Sequence, residues 1–296
     1  VRVIADAGLA AGLVQLVHGG PDEATVLMTD DRIRAVSFTG VVVGGRAVAH
    51  ACAEGLKPAQ LELGGHSPLV VMPDADTAHV AEAALALLTT LNGQRCRALG
   101  RLIVPADRHD ELVAAITDTL GSVVLGDPLD PATTMGPIVH SSHLATLTAR
   151  VDELGVVGEV VVPTPLPDLP GNWMSPTLVT GVDPAATVSA MFGPVAAVHP
   201  YDDLDEALAL ANGTDYGLEA YVVGSDTDAA MAFARRIRAG GVKVNGASPI
   251  SLHLMARRPA FGISGLHEEG TVETIHFFGG SRVVGIEASL GQTGSA

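Results

Sequence analysis

The sequence predicts an α/β fold with largely parallel sheets, and three observations support that prediction. Short runs rich in β-branched residues alternate with Ala- and Leu-rich segments almost throughout the 296 residues. Between residues 77 and 91 the apolar side chains recur at steps of three and four, which places them on one face of a helix. Several of the 34 glycines follow a strand-like run, where the backbone has to turn tightly.

The predicted elements alternate along the chain. Before Gly64 we expect three strands, "LVQLVHG", "IRAVSFTG" and "AQLELGG", with helices "DEATVLM" and "RAVAHACAEGL" between them. Later strands are "SPLVVM", "RLIVP", "TLVTGV", "VAAVHPY", "LEAYVVG" and "GVKVN". The Pro- and Gly-rich stretch 163–178 is interpreted as a surface excursion, because strands follow it at once. "TVETIHFFGGSRVVGIEA", residues 271–288, is expected to form an extended arm, and "SLGQTGSA" a frayed tail.

Composition narrows the class of partner and the compartment. The chain has 17 basic and 33 acidic side chains, a net charge of −16, which disfavours nucleic acid and anionic membrane surfaces. Two cysteines cannot build a disulfide framework, no apolar run reaches membrane-spanning length, and the start lacks a secretion signal. We therefore expect a cytoplasmic protein. The 11 histidines are scattered without Cys or carboxylate partners, so no metal site is expected.

The stretch "LTTLNGQRCRALGRL", residues 88–102, places Cys96 between Arg95 and Arg97. Thiolate is the attacking form of cysteine, and nearby positive charge lowers the thiol pKa. Cys96 follows a helix through a glycine turn and precedes a strand, a position where rigid neighbours hold catalytic groups. Cys96 is therefore a candidate nucleophile. The alternative is a small buried apolar residue whose flanking arginines point to water.

Two further stretches carry candidate chemistry. In "QLELGGHSP" the carboxylate of Glu62 ends an otherwise apolar strand just before Gly64 and Gly65, which suits a general base. The alternative is an edge-strand Glu that faces solvent. In "SFTGVVVGGR", residues 37–46, a strand runs into a glycine turn and a helix, whose first amides can receive a phosphate.

An ordered set of motifs resembles the NAD(P)-dependent aldehyde dehydrogenase superfamily over nearly the whole chain: "FTG" with Gly45, "LELGG", "GQRC", "MFGPV", "NGTDYGL", "GVKVN" and "FGISG". The resemblance implies that Cys96 is the nucleophile and Glu62 the general base. It also implies that Gly40 and Gly45 belong to the cofactor-side turn. On the same grounds, Leu63 and Phe192 border the nicotinamide.

The resemblance implies an aldehyde-dehydrogenase-like α/β fold in three parts. Residues 1–63 are expected to be part of a Rossmann-type cofactor domain, 64–265 a catalytic domain, and 266–296 a segment with an oligomerisation strand and tail. The implied reaction oxidises a small-molecule aldehyde to a carboxylic acid with NAD or NADP, through a thiohemiacetal and a thioester on Cys96. A homo-oligomer is expected, or a partner chain that supplies the missing N-terminal half.

The chain departs from the family pattern in four ways. Typical members carry roughly two hundred further residues at the N-terminal side, including an oxyanion-hole asparagine, so the chain is interpreted as N-terminally truncated. Val41 replaces a Ser, Ala190 replaces the Glu that holds the nicotinamide ribose, and "RRPAFGISG" lacks the family Lys. Loss of one oxyanion donor typically lowers turnover about a hundred- to a thousandfold. Two alternatives stay open: a non-catalytic relative acting by binding or assembly, and a cofactor-free thiol hydrolase of activated esters.

Overall fold

The structure, a computed structural model, describes residues 2–249 and 253–286. Its strands are β1 (Val36–Thr39), β2 (Ala59–Glu62), β3 (Ser67–Val71), β4 (Leu99–Pro105), β5 (Glu159–Val161), β6 (Thr177–Thr180), β7 (Val195–Tyr201), β8 (Tyr216–Gly217), β9 (Glu219–Val223), β10 (Gly241–Val244), β11 (Phe261–Gly262) and β12 (Gly265–Leu266). Its α-helices are α1 (Arg2–Asp6), α2 (Pro21–Thr29), α3 (Val42–Glu54), α4 (Thr77–Thr89), α5 (His109–Gly121), α6 (Ser141–Gly155), α7 (Leu204–Asn212), α8 (Thr227–Ala234) and α9 (Thr271–Gly279).

Two sheets organise these elements. The larger has the strand order β10-β9-β3-β4-β7-β6-β5, and every neighbouring pair is parallel except β5 and β6. Side chains of α4 and α5 cover one face, and those of α7 and α8 cover the other, so the central strands are buried on both sides. The smaller sheet, β1-β2-β12, is covered by α3. The predicted α/β fold with largely parallel sheets is confirmed.

The site lies where edges of the two sheets meet. Because β3, β4, β9 and β10 are parallel, their first residues lie on one edge of the larger sheet. Cys96 lies in the loop that leads into β4 on this edge, separated from the strand by Arg97 and Ala98. Glu62 ends β2 in the smaller sheet, and β12, from far along the chain, pairs with that same strand, with Gly265 opposite Glu62. The smaller sheet thus joins the predicted cofactor domain to the segment around residue 265.

The predicted strand "LVQLVHG", residues 13–19, is wrong. These residues have no regular structure, and Leu13, Leu16 and Val17 each expose more than half of their surface. A strand needs a partner for its amides and carbonyls, and no described strand pairs with this segment. Two strands rather than three therefore precede Gly64.

The extended arm predicted for residues 271–288 is also wrong in its first half, which forms α9. Val272, Ile275 and Phe278 recur at three-residue steps, which is helical spacing. Gly280 ends the helix with φ 62°, a left-handed conformation that favours glycine. Residues 281–286 have no regular structure, and the predicted tail lies outside the described residues. Among the helices that are described, none combines the length and apolarity needed to cross a membrane.

Candidate active site

The end of β2 holds the carboxylate of Glu62 next to the cofactor-side turn. Thr39 pairs with Glu62 in the parallel register, and the amide of Gly40 donates to the Glu62 carbonyl at 3.1 Å. The Oε1 atom of Glu62 is buried and has no hydrogen-bond partner in the described part of the chain. A buried polar atom is costly to leave unpaired. Oε1 is therefore suited to accept a hydrogen bond from water or a substrate.

The Gly64-Gly65 turn brings Glu62 and Cys96 together. A Cβ atom at Gly65 would overlap the carbonyl oxygen of Cys96, so the backbones of the two segments touch there. Gly64 has more room, since a Cβ atom at that position would come no closer than 3.8 Å to the ring of Tyr216. Close approach of the backbones, rather than a special dihedral angle, is what requires glycine at Gly65.

The loop that carries Cys96 is a strained left-handed turn. In the short turn Thr90–Gly93 that follows α4, the φ angles of Leu91, Asn92 and Gly93 are 53°, 57° and 66°. Left-handed backbone is unfavourable for Leu and better tolerated by Asn and Gly. A Cβ atom at Gly93 would overlap the backbone of Gly193, so this turn packs directly against the segment that follows Phe192.

Two side-chain amides hold this turn. Asn92 donates through Nδ2 to the carbonyl of Pro137 at 2.9 Å and accepts through Oδ1 from the amide of Gly136 at 3.0 Å. Gln94 accepts through Oε1 from the amide of Val139 at 2.9 Å. Both ends of the turn are therefore tied to residues 136–139. These partners lie more than forty positions away in the chain, so no local pattern indicates them.

The surroundings of Cys96 raise the pKa of its thiol to about 11. Burial is the largest cause, followed by the negative charge of Glu62 and side-chain hydrogen bonding with it, while the positive charge of Arg97 acts in the opposite direction. From sequence, the cations on either side of Cys96 were expected to favour the thiolate. Arg97 does so, but burial and Glu62 outweigh it, and Arg95 is not among the groups that act on the thiol.

A second carboxylate, Glu269, completes the acidic side of the site. Burial, and then the charge of Glu62 and hydrogen bonding with it, raise the pKa of Glu269, while Arg258 and Arg97 oppose the shift. Glu269 exchanges two backbone hydrogen bonds with Arg258, of 2.7 and 3.2 Å, which fix its position. Glu269 was not predicted from sequence, since nothing in the stretch "LHEEG" distinguishes this residue from an acid on the surface.

The basic side of the site is built on a buried ion cluster. The guanidinium of Arg97 lies 3.0 Å from the carboxylate of Glu219, and the ammonium of Lys243 lies 3.4 Å from the same carboxylate. Burial lowers the pKa of Lys243, and Glu219 opposes that shift. The Tyr221 hydroxyl donates to the carbonyl of Arg97 at 2.9 Å. Sequence reasoning found Arg97 but not its partners, which lie on β9 and β10.

Three of the predicted cofactor-side residues lie together around α3. Gly45 is buried in the helix, and a Cβ atom there would overlap the side chain of Leu63, which is itself buried. Leu63 therefore packs under the helix, and its amide donates to the carbonyl of Ser264 at 2.8 Å. Gly40 precedes the helix, whose cap residue Val41 makes no side-chain cap bond and is 69% exposed. The first amides of α3 are thus open to an anion.

Phe192, the fourth predicted residue, immediately precedes the segment that packs against the turn before Cys96. Its φ of 55° is left-handed, and its carbonyl accepts a 2.8 Å hydrogen bond from Nε2 of His143. Phe192 and Arg95 line one small cavity with Ala190. His143 thus holds the Phe192 turn. Trp173 packs against Val123, Leu125 and Met135.

The fold agrees with that of known proteins. The sequence matches the aldehyde dehydrogenase family over residues 1–284, and the chain belongs to that family. It is 36% identical over 276 residues to the non-phosphorylating aspartate-semialdehyde dehydrogenase of Halomonas elongata, covering 91% of this chain and 55% of that protein. It is 35% identical over 293 residues to 2-hydroxymuconic semialdehyde dehydrogenase of Pseudomonas sp., covering 94% of this chain and 59% of that protein.

Solved structures show the same fold. A mutant of aldehyde dehydrogenase C from Pseudomonas syringae, in complex with NAD⁺ and octanal, superimposes with a TM-score of 0.87 at 33% identity, over 94% of this chain and 58% of that one. An aldehyde dehydrogenase of Mycobacterium tuberculosis in complex with NAD⁺ superimposes with a TM-score of 0.88 at 29% identity, over 93% of this chain and 58% of that one. The chain therefore spans a little more than half the length of the relatives it matches.

Proposed function

We propose that this chain carries the nucleophile and the general base of an NAD(P)-dependent oxidation of an aldehyde to a carboxylic acid. The observation that carries the proposal is the direct backbone contact between Gly65, which follows Glu62 closely in the chain, and the carbonyl of Cys96. The two segments are close enough that burial, and then the charge of Glu62, raise the pKa of the thiol. The paired groups occupy one site, as the reaction requires. Belonging to the aldehyde dehydrogenase family supports the reaction class.

The chain's own residues account for each change at the substrate carbon. The Cys96 thiol gives up its proton to the neighbouring carboxylate, and Sγ bonds to the aldehyde carbon to form a thiohemiacetal. Loss of hydride from that carbon leaves a thioester on Sγ. Glu62 releases the thiol proton to solvent and then removes a proton from water, and the resulting hydroxide attacks the thioester. The C–S bond breaks to release the acid, and the proton held by Glu62 returns to Sγ. Glu269 lies beside Glu62, so a proton taken by either carboxylate is shared by a pair of groups.

The residues present fit part of a dinucleotide site. The uncapped first turn of α3, next to Gly40, offers backbone amides to a pyrophosphate, and the exposed Val41 and Val43 leave that end of the helix accessible. Phe192 immediately precedes the segment that packs against the turn before Cys96, and we expect it to border a nicotinamide ring. NAD⁺ or NADP⁺, when bound, accepts the hydride from the substrate carbon. NAD⁺ in the complexes of the structural relatives supports this cofactor class.

Rapid mixing of the protein with an aldehyde and NAD⁺ or NADP⁺ tests the proposal. The wild-type chain is expected to form reduced cofactor continuously, and a Cys96→Ala variant to form none. A Glu62→Gln variant is expected to give a burst of up to one equivalent of reduced cofactor and then stall, because the thioester forms but is not hydrolysed. If the Cys96→Ala variant oxidises aldehydes as fast as the wild type, the assignment of the nucleophile is wrong.

A further inference from the structure

Residues 136–147 contact two separate turns of the proposed site. Before α6 begins, the backbone of residues 136–139 is hydrogen-bonded to the side chains of Asn92 and Gln94, in the loop that carries the proposed nucleophile. Within α6, two side chains contact the turn at residues 192–193. One short stretch of chain is therefore attached to the nucleophile loop and to the turn that we expect to border the nicotinamide.

The turn at Phe192 has a backbone conformation that needs support from its surroundings. The φ angle of Phe192 is 55°, which is unfavourable for a bulky residue, and such a conformation persists only where neighbouring groups fix it. Burial does not supply that support, because Phe192 is 45% exposed. The carbonyl of Phe192 accepts the 2.8 Å hydrogen bond from Nε2 of His143. At the next position, a Cβ atom on Gly193 would overlap the side chain of Leu147, so that side chain packs directly on the turn.

The start of α6 holds His143 in place. His140 caps this helix, and its Nδ1 accepts a 3.2 Å hydrogen bond from the amide of His143. Leu147, one helical turn further along, is buried and lies on the same face of the helix as His143. The ring of His143 is tilted against that of Phe192, with the two centroids 6.1 Å apart. The helix therefore contacts the turn at three places: the carbonyl and the ring of Phe192, and the backbone beside them.

We propose that His143 is a positioning residue for the nicotinamide end of the cofactor. Its hydrogen bond to the Phe192 carbonyl holds the turn in the conformation that borders the nicotinamide, against the loop that carries Cys96. This inference rests on the proposed function, because it takes Phe192 to be part of the cofactor site. His143 acts through Phe192, so its loss is expected to weaken cofactor binding and to leave aldehyde binding unchanged.

Hydrogen exchange tests the hold on the turn without cofactor or turnover. The amide of Val195 donates to the carbonyl of Gly193 at 2.8 Å, so its exchange rate reports opening of the turn. In His143→Leu this rate is expected to increase about three- to tenfold, which is the change in equilibrium that loss of one hydrogen bond produces. His143→Gln can place a side-chain N–H near the position of Nε2 and is expected to keep the wild-type rate. His143→Asn is too short to reach the carbonyl and is expected to resemble His143→Leu.

Calorimetric titration with NAD⁺ and NADP⁺ tests the link to the cofactor. The dissociation constant is expected to rise about threefold or more in His143→Leu, because Phe192 leaves its left-handed conformation and the fraction of protein competent to bind decreases. His143→Gln is expected to restore the wild-type affinity. Where turnover is measurable, KM for the cofactor should rise in His143→Leu while KM for the aldehyde stays within about twofold. A purely structural role would instead reduce the amount of active protein, and therefore kcat, with both KM values unchanged.

The matched control is His109→Leu. His109 is also half-buried and makes one hydrogen bond, from Nδ1 to the carboxylate of Asp110 at 2.8 Å, but it lies at the start of α5. This variant is expected to keep the wild-type exchange rate and cofactor affinity. Wild-type values of both quantities in His143→Leu would overturn the proposal, and so would changes that His143→Gln does not reverse. A wild-type protein that binds neither cofactor would count against the proposed function, whereas equal binding by wild type and His143→Leu would count against the role of His143 alone.

Discussion

The backbone of Gly65, just after Glu62, touches the carbonyl of Cys96, and in this setting burial, and then the charge of Glu62 and side-chain hydrogen bonding with it, raise the pKa of the Cys96 thiol to about 11. At neutral pH the resting site therefore holds a protonated thiol beside a base. A thiol kept protonated is protected from chance electrophiles and oxidation, since the thiolate is the reactive form. The neighbouring carboxylate also provides an acceptor for the thiol proton when an aldehyde binds.

Replacing Glu62 by Gln should make the resting thiol more reactive. Because the charge of Glu62 raises the pKa, its removal lowers the pKa toward the ordinary value, and each unit of decrease raises the thiolate fraction about tenfold. We expect iodoacetamide to alkylate Cys96 several times faster at pH 8 in Glu62→Gln than in the wild type. Rates measured from pH 7 to 11 give the midpoint directly. Glu153→Gln, a change at an exposed ion-paired acid, is the control; an unmoved midpoint in Glu62→Gln would contradict the contact.

A methyl group at Gly65 should disturb the site, whereas one at Gly64 should not. The Cβ atom of Gly65→Ala would overlap the Cys96 carbonyl, a backbone atom that cannot turn aside, while Gly64→Ala makes only an ordinary contact at 3.8 Å. Overpacking of this kind costs about 1–3 kcal/mol. Urea unfolding should show that loss for Gly65→Ala only, accompanied by a changed alkylation rate at Cys96. Equal behaviour of the two variants would mean that the two backbones do not touch.

The amide of Asn92 should contribute to the stability of the Cys96 turn. Asn92→Ala removes two hydrogen bonds and also places a poorly suited residue at φ 57°. Asn92→Gly keeps the left-handed backbone and removes only the bonds, so comparison of the two variants separates the effects. We expect Asn92→Gly to cost about 1–3 kcal/mol in the free energy of unfolding, from the hydrogen bonds alone. Wild-type stability in Asn92→Gly would show that the amide does not anchor the turn.

Two buried histidines should make stability depend on acid pH. Burial, and then the positive charge of Arg101, lower the pKa of His66 to about 3 and that of His199 to about 4. Both rings are therefore neutral in the fold, but they gain protons near pH 6.5 once unfolded. Their contribution is complete above about pH 6.5 and is lost progressively as the pH falls toward 4 and then 3.

The melting temperature should accordingly decrease below pH 6.5, and less steeply in a His199→Gln variant. Nε2 of His199 is hydrogen-bonded to the hydroxyl of Thr187 at 2.8 Å. A Gln side chain at this position can still make that bond. His50→Gln, at an exposed position on α3, is the matched control and should keep the wild-type slope. Parallel curves for all three proteins would show that His199 is not the titrating group.

Much of the fold was predictable because it depends on local patterns. The alternation of strand and helix, the helical stripe of α4 and the glycine turns all follow from neighbouring residues in the chain. Two of the predicted elements were wrong, and each error has a physical reason. Residues 13–19 are rich in apolar and β-branched residues, but no described strand pairs with them. Residues 271–279 have a helical spacing of apolar residues, although their β-branched content favoured an extended prediction.

The sequence by itself determined the order of the elements and the pair of candidate groups, Cys96 and Glu62, because motif spacing and glycine turns are properties of the linear chain. Tertiary structure alone decided what surrounds them. Glu269 and Arg258 reach the site from the far end of the chain through the pairing of β12 with β2, and Glu219 meets Arg97 across the edge of the larger sheet. Even the direction of the thiol pKa shift was set there, since the loss of water on burial and the charge of Glu62 outweigh a cation adjacent in sequence.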